Sequence, residues 1–312
     1  MFRKGLGLTA VLDRFLKQFG KQNGDRREER VSQSAENVPV PRHSEEREGI
    51  EPPENPGKEM LAKPVKSPGE ATTVVFANSK GGVGKSTVAF VSCLKLALKK
   101  PDFLIEFIDL DRQGTTSESL HRFANKKFRL VSDPEFLLAS GGINNARIYQ
   151  HLKSGFQLKS ENEKRFVFFD TPAGTTPTEY SFMLDADYLL VPTSASDADL
   201  GATKKFLGRL YDANPLITGE KIKFLPRVVV IPNLLEDRTE ILTIYRNLRE
   251  FPCFLGHPIF YSRVFRTTFN HGISDHNVVD LLRITEDFGD WLVNIVCDHS
   301  LTSYTPSTLY QI

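Results

Sequence analysis

A glycine-rich segment, K-G-G-V-G-K-S-T at residues 80–87, constrains the fold of this chain more than any other feature. Three glycines in it let backbone N–H groups turn inward around phosphate oxygens: Gly81, Gly82 and Gly84. Lys85 places a positive charge on the phosphates, and Ser86 offers a hydroxyl to Mg²⁺. The general form of such a loop has glycine at the position of Ser79. The segment is therefore a deviant phosphate-binding loop, with an extra lysine, Lys80, near its start.

The sequence around the loop supports this interpretation. Residues 73–77 (T-V-V-F-A) are β-branched or apolar and predict a buried strand. After the loop, apolar residues follow helical spacing from Val88 to Leu98, and Pro101 ends the predicted helix. The helix would begin near Lys85, with its positive end toward the phosphates. A nucleotide site is therefore favoured over a glycine-rich turn without a ligand.

Two acidic motifs follow further predicted strands. The run 103–107 leads into Asp109 and Asp111, and the run 165–169 leads into Asp170. Two carboxylates at i and i+2 on a strand end share one face, so we expect Asp109 and Asp111 to face one cleft. The alternative for this pair is a solvated acidic turn. Because ligands of open parallel sheets bind at the carboxyl ends of strands, the loop and the aspartates are expected to surround one nucleotide.

The remaining sequence alternates predicted strands and helices. Further strands are predicted at 187–192, 226–232 and 257–261, and further helices at 200–211, 237–251 and 284–296. Alternation of this kind predicts an α/β phosphate-loop NTPase, with a mostly parallel twisted sheet and helices on both faces.

Three motifs together resemble the ParA/MinD family of deviant phosphate-loop ATPases, and ParA-type partition ATPases most closely: residues 80–87, D-L-D-R-Q-G at 109–114 and D-T-P at 170–172. The resemblance covers residues 71–297. It implies ATP and Mg²⁺ as cofactors, slow partner-stimulated hydrolysis to ADP and phosphate, and a homodimer held face to face by ATP. Arg112 departs from the family pattern, which usually has proline there.

The resemblance also implies roles for single residues. Lys80 would reach across the dimer to the nucleotide of the other copy, and Lys85 would bind the phosphates of its own. Asp111 would position the hydrolytic water, with Asp109 supporting it. Three residues would serve Mg²⁺: Ser86, Asp109 and Asp170. The nucleotide set comprises Lys80, Gly81, Gly82, Val83, Gly84, Lys85, Ser86 and Thr87, with Pro232 and Asn233 as candidates for the base.

Basic residues late in the chain are candidates for DNA contact, because ParA relatives use such residues to bind duplex DNA without sequence choice. By this resemblance the candidates are Arg263 and Arg266, which precede Asn270-His271-Gly272, with Lys204, Lys205 and Arg209 on a predicted helix. Ordinary solvated surface is the alternative for all five. The net charge of +1 means that any DNA contact comes from a local patch, and such binding would depend strongly on salt.

The chain divides into four predicted parts. Residues 1–20 have apolar residues at helical spacing with basic residues opposite, which predicts a short amphipathic helix. Residues 21–70 are rich in Glu, Arg, Pro, Ser and Asn and predict a disordered linker. Residues 71–298 form the ATPase domain, and 299–312 a flexible tail. The first segment would bind a groove on a partner protein, an anionic membrane surface or its own ATPase domain.

Three functions stay open at this point. A ParA-type ATPase would position a plasmid, a chromosome or a protein complex on nonspecific DNA, with a cargo adaptor of ParB or analogous type. The alternatives are a MinD-like membrane-cycling regulator that uses residues 1–20, and a nucleotide-dependent adaptor of a conjugation or secretion system. Three scattered cysteines without a C-x-x-C motif argue against iron–sulfur relatives. We expect a cytoplasmic location, with nucleoid association through DNA.

Overall fold

The computed structural model describes residues 70–124, 127–140, 142–153, 164–218, 226–267 and 275–298. The strands are β1 Thr72–Phe76, β2 Leu104–Asp109, β3 Phe128–Leu130, β4 Arg165–Asp170, β5 Tyr188–Thr193, β6 Arg227–Leu235, β7 Phe254–Leu255 and β8 Ile259–Phe260. The α-helices are α1 Lys85–Lys99, α2 Thr115–Leu120, α3 Asn145–Lys153, α4 Asp197–Thr218, α5 Thr239–Leu248, α6 Arg263–Thr267, α7 Asp275–Ile284 and α8 Glu286–Asp298. The predicted N-terminal helix, the linker before residue 70, the tail and Asn270-His271-Gly272 lie outside the described residues.

The strands form one parallel sheet in the order β3-β2-β4-β1-β5-β6-β7, with β8 paired to the far end of β6. Each pairing between these strands is parallel. The strand that precedes the glycine-rich loop, β1, is central, with β4 and β5 on either side. This confirms the predicted α/β class, and it places the loop in the middle of one sheet edge.

Helices cover both faces of the sheet. Successive residues of a strand point to opposite faces, and both faces of β1 are apolar. Val74 packs in a core layer that includes residues of α1 and α8, whereas Val75 packs in a layer that includes residues of α4 and α5. Both valines are fully buried. The continuous apolar runs of the strands therefore follow from burial on both sides.

A buried ion pair joins β2 to β4 three residues before the carboxyl end of β2. Arg165 Nη2 donates to Glu106 Oε2 at 2.7 Å, and His151 Nε2 of α3 lies 3.2 Å from the same oxygen. Burial acts to raise the pKa of Glu106, but hydrogen bonds from His151 and Arg165 bring that pKa below its usual value. The carboxylate is therefore ionised and fixes the two strands, and α3, against one another.

The predicted final helix at 284–296 is wrong in its start, because Thr285 separates α7 from α8. The Lys95 ammonium of α1 donates to the Leu282 carbonyl and to the Glu286 carboxylate. A side chain from another helix thus satisfies a carbonyl that the end of α7 leaves free. The prediction at 284–296 thus corresponds to α8, and α7 was not predicted from the sequence.

Candidate nucleotide-binding site

The register of the sheet aligns the loop with two of the predicted aspartates. Asp170 is the β4 partner of Phe76, the last residue of β1, and also of Asp109, the last residue of β2. The loop begins directly after β1. The structure therefore brings the loop, Asp109 and Asp170 to one edge of the sheet, at the carboxyl ends of three adjacent strands, as the sequence predicted.

The loop is held in a conformation that requires glycine. Gly82 and Gly84 have φ angles of +84° and +88°, in the left-handed region that side chains disfavour. Asn233, buried in β6, donates from Nδ2 to the Val83 carbonyl at 2.8 Å. A Cβ on Gly84 would lie 2.1 Å from that nitrogen. Gly84 also precedes the first turn of α1, where Val88 N donates to the Gly84 carbonyl. The positive end of α1 therefore faces the loop.

The two lysines of the loop occupy different environments. Lys85 is buried, and its Nζ donates to the Lys80 carbonyl at 3.0 Å. Burial lowers the pKa of Lys85, while the charges of Asp170 and Asp111 oppose that shift. The Lys80 side chain is exposed. Lys85 thus lies inside the loop and Lys80 at its outer surface.

Asp170 is a buried carboxylate whose two oxygens differ in their hydrogen bonding. Its Oδ2 accepts from the Thr116 hydroxyl at 2.9 Å, whereas Oδ1 accepts no hydrogen bond from the part of the chain that the structure describes. Burial, and next the charge of Asp109, raise the pKa of Asp170 to about 7. The Ser86 and Thr116 hydroxyls and the Lys85 ammonium oppose that rise in pKa. A buried carboxylate oxygen without a hydrogen-bond donor is suited to binding a cation.

These residues fit Mg²⁺. An unpartnered buried carboxylate oxygen, a second, half-buried carboxylate and a hydroxyl are oxygen donors of the kind that Mg²⁺ prefers. Ser86, Asp109 and Asp170 would hold the ion, directly or through water. When bound, Mg²⁺ neutralises charge on the phosphates. Thr116 was missed by the sequence reasoning, since a single threonine in a short polar helix carries no motif of its own.

Asp109 and Asp111 do not share a strand face, which corrects the prediction. β2 ends at Asp109, and Asp111 lies in the turn that follows. Asp109 accepts hydrogen bonds from the N–H groups of Asp111 and Ser117, both at 3.0 Å. Asp111 in turn accepts from Gln113 N at 3.0 Å. Asp109 therefore fixes the turn that contains Asp111.

A second loop, residues 171–180 after β4, contacts the first. Gly174 N donates to the Ser79 carbonyl at 2.9 Å. Tyr180, at the end of this loop, has its pKa raised to about 12, chiefly by burial and then by Glu179. The charge of Asp111 also raises, and that of Arg112 lowers, the pKa of Tyr180. The exposed Arg112 therefore lies near this loop, at the edge of the site.

The remaining candidates are placed as follows. Pro232 and Asn233 are buried in β6, and the Asn233 amide is already bonded to the loop, so contact with the base stays a prediction. Arg263 and Arg266 are exposed on α6, with the Arg266 guanidinium 5.6 Å from the centre of the Tyr261 ring. On α4, Lys204 is half-buried and two cations are exposed: Lys205 and Arg209. DNA contact by these residues also stays a prediction.

Comparison with known proteins adds the following findings. Residues 72–209 match the family model described as ATPase MipZ. The structure of apo McdA from Cyanothece superposes with a TM-score of 0.53 and 20% sequence identity, over 72% of this chain and 100% of that one. An ATP complex of a McdA variant from Cyanothece gives 0.52 and 20%, over 72% and 96%. The MinC:MinD complex from Aquifex aeolicus gives 0.50 and 14%, over 75% and 99%. No curated protein matches the chain.

The structural similarities concern the fold, and the motifs add the chemistry. Both agree with the family resemblance seen in the sequence. In the described part of the chain, no helix is long and apolar enough to cross a membrane. Residues 72–209 match the family model, and the parallel sheet carries the extra lysine and the aspartates at one edge; both findings support the resemblance of the chain to the ParA/MinD family of deviant phosphate-loop ATPases.

Proposed function

We propose that this protein is an ATP-driven dimerising switch of the ParA type. ATP would hold two copies face to face, and the dimer would bind duplex DNA without sequence choice. A cargo-bound partner of ParB or analogous type would then stimulate hydrolysis and release the dimer. The cargo would be a plasmid, a chromosome or a protein complex. The observation that carries the proposal is the division of the loop into one buried and one exposed lysine.

The buried lysine suffices for the phosphates of the chain's own nucleotide. Lys85 lies within the loop at the start of α1, where the helix dipole adds to its charge. Lys80 is separated from it by four residues and is exposed. An ammonium at that position is available to a nucleotide in a second copy. Its charge there would favour the dimer only when the γ-phosphate is present, which makes association depend on ATP.

Asp111 is the proposed positioning residue for the hydrolytic water. It is half-buried, and it stands in a turn that Asp109 ties to β2 and α2. Hydrolysis would depend on how well this carboxylate places the attacking water, and a partner that improves that placement would accelerate it. This supports the slow, partner-stimulated cycle of the proposal.

DNA is proposed as the matrix because exposed cations lie on described residues. Arg263 and Arg266 are both exposed on one short helix, and Lys205 and Arg209 are exposed on α4. Membrane contact, in contrast, would depend on residues 1–20. The proposed location is cytoplasmic, with nucleoid association through DNA.

The test is binding of the full chain to arbitrary duplex DNA, with ATP–Mg²⁺ or ADP, at two salt concentrations. The Asp111→Ala variant is used to slow hydrolysis and accumulate the ATP state. We expect binding with ATP–Mg²⁺ but not with ADP. The DNA affinity should fall at least tenfold between 50 and 200 mM salt if three or more phosphate contacts form. Arg263→Glu with Arg266→Glu should abolish it, whereas Arg246→Glu, on an exposed arginine of α5, should not.

Absence of DNA binding in both nucleotide states would contradict the DNA part of the proposal. The same samples are then tested on vesicles with anionic lipids. Vesicle binding that is lost in Leu12→Asp with Phe15→Asp would support the MinD-like alternative. Loss of one protein partner in that variant, with no vesicle binding in the parent, would support the adaptor alternative.

A further inference from the structure

We infer that Asn78 is a positioning residue for Lys80, and that it acts through Thr203 of α4. The inference rests on the proposed function, because it concerns the lysine that would serve the nucleotide of a second copy. Asn78 lies between the end of β1 and the loop, and it is fully buried. Neither Asn78 nor Thr203 belongs to the motifs from which the site was predicted.

The Asn78 side chain uses both ends of its amide. Its Oδ1 accepts from the Lys80 backbone N–H at 3.1 Å. Its Nδ2 donates to the Pro192 carbonyl at 3.0 Å and to Thr203 Oγ1 at 2.9 Å. Both N–H groups of the amide are therefore engaged, which fixes the orientation of the side chain and so the position of Oδ1. The amide connects the backbone of Lys80 to β5 and α4.

Thr193, the next residue in this hydrogen-bond network, determines which hydroxyls donate and which accept. Thr203 Oγ1 donates to Thr193 Oγ1 at 2.9 Å, and Thr193 Oγ1 donates to the Ser194 carbonyl. A hydroxyl has one hydrogen and two acceptor lone pairs, so Thr203 donates its hydrogen to Thr193 and accepts from Asn78 through a lone pair. Thr193 and Thr203 are both fully buried, where water does not replace a lost partner. The network is therefore specific for a hydroxyl at position 203.

The consequence for Lys80 follows from its exposure. Because its side chain is at the surface, its direction depends on where the backbone of the loop places it. Three bonds hold that backbone: Asn78 Oδ1 to the Lys80 N–H, Lys85 Nζ to the Lys80 carbonyl, and Gly174 N to the Ser79 carbonyl. The second of these bonds comes from Lys85, which we propose to bind phosphate. When Lys85 turns to the nucleotide, its bond to the Lys80 carbonyl is lost. Of these three bonds, the Asn78 bond is then the one that a side chain still supplies, and that side chain is held by β5 and α4.

The same network ties the loop to the helix that carries candidate DNA contacts. Thr203 is followed directly by Lys204 and Lys205. A displacement of α4 would thus be transmitted to Asn78, and from it to Lys80. Binding at these lysines and association of two copies would then affect each other reciprocally.

The test compares Thr203→Val with Thr203→Ser in the Asp111→Ala background. Valine keeps the shape but removes the hydroxyl, and serine restores it. Three quantities are measured: the dissociation constant of the ATP–Mg²⁺ dimer by analytical ultracentrifugation, the affinity of the monomer for ADP, and the thermal midpoint with ADP. Lys80→Ala in the same background gives the value for complete loss of the trans contact. Thr203→Ala, which leaves room for a water, replaces Thr203→Val if that variant does not fold.

The inference expects Thr203→Val to weaken the dimer about tenfold, toward the value for Lys80→Ala, because the Lys80 backbone is no longer fixed, and to change ADP affinity less than about threefold. Thr203→Ser should match its parent in all three quantities. A dimer of unchanged affinity in Thr203→Val would overturn the inference, as would a parallel fall of dimer affinity, ADP affinity and thermal midpoint. Failure of the Asp111→Ala parent to dimerise would overturn the proposed function itself, and the inference with it.

Discussion

Asp109 and Asp170 are direct cross-strand partners at the carboxyl ends of β2 and β4. Burial and the negative charge of Asp109 both raise the pKa of Asp170. Two carboxylates in one buried place repel each other, and they persist in proteins where a cation or a proton separates them. The relationship fits the Mg²⁺ ion that we propose for this edge of the sheet, and it makes the stability of the site sensitive to pH.

The first prediction concerns that pH dependence. The folded-state pKa of Asp170 is about 7, whereas an unfolded chain has a value of about 4. The folded state therefore retains a proton that the unfolded state releases, and stability falls as the pH rises from about 4 through 7. Asp170→Asn removes this effect. At pH 8 and without Mg²⁺ or nucleotide, the variant should be more stable than the parent by up to ~4 kcal/mol, and at pH 4 the two should agree.

Urea denaturation with EDTA at four pH values measures this difference. Asp212→Asn, an exposed aspartate of α4, is the control and should follow the parent throughout. If the free energy of unfolding depends on pH in the same way for Asp170→Asn and the parent, Asp170 has an ordinary pKa in the folded state.

The second prediction ranks three glycines of the loop by how much substitution to alanine lowers the free energy of unfolding. A Cβ on Gly81 meets only Ala173 Cβ, at an ordinary 3.5 Å, so Gly81→Ala should change the free energy of unfolding by less than about 0.5 kcal/mol. Gly82→Ala adds a side chain at positive φ without a clash and should cost about 1 kcal/mol. Gly84→Ala adds both the strain and a 2.1 Å contact with Asn233, and should cost more than about 2 kcal/mol. Chemical denaturation without nucleotide measures the series, and a different order would contradict this view of the loop.

The third prediction concerns the junction of α1 with α8. The Lys95 ammonium is almost fully buried and is paired with Glu286. Glu286→Gln removes the carboxylate that this ammonium donates to, leaving the charge of Asp290 nearby, and should destabilise the fold by about 2 kcal/mol. Asp290→Asn, which removes a partner of the more exposed Lys99, should cost less than about 0.5 kcal/mol. Equal effects of the two variants in thermal unfolding would show that pairing of the buried Lys95 ammonium contributes no more than pairing of Lys99.

The fourth prediction concerns the ion pair between β2 and β4. Arg165→Met alone leaves the Glu106 carboxylate buried with only His151 beside it, and should cost about 3 kcal/mol or more. Adding Glu106→Leu removes the unpaired charge and should recover at least ~1 kcal/mol, so that the double variant is more stable than Arg165→Met. A double-mutant cycle by urea denaturation measures both, and strict additivity would contradict a coupled pair.

The sequence predicted the parts of the site that depend on local pattern. Gly82, Gly84 and Lys85 form a motif with fixed spacing, and Asp109 and Asp170 each end an apolar run, so their place at strand ends followed from burial alone. The position of Asp111 did not follow, because the point at which β2 leaves the sheet depends on its pairing with β4.

Contacts between distant residues were beyond such reasoning. Asn78 and Thr203 are 125 positions apart, and neither belongs to a sequence motif that predicts its partner. Lys95 stands in the middle of a buried helix, where its charge is tolerated only because Leu282 and Glu286 arrive from another part of the chain. A single sequence gives no pattern for partners that only the tertiary fold selects.

The most direct measurement of the central claim is the mass of the protein in solution with ATP–Mg²⁺ and with ADP, in the Asp111→Ala background. The account predicts a dimer with ATP and a monomer with ADP. Lys80→Ala should be monomeric with ATP while it still binds the nucleotide, and Lys85→Ala should lose both. A Lys80→Ala protein that dimerises as its parent does, or a parent that stays monomeric with ATP, would contradict the claim that the exposed lysine serves the nucleotide of a second copy.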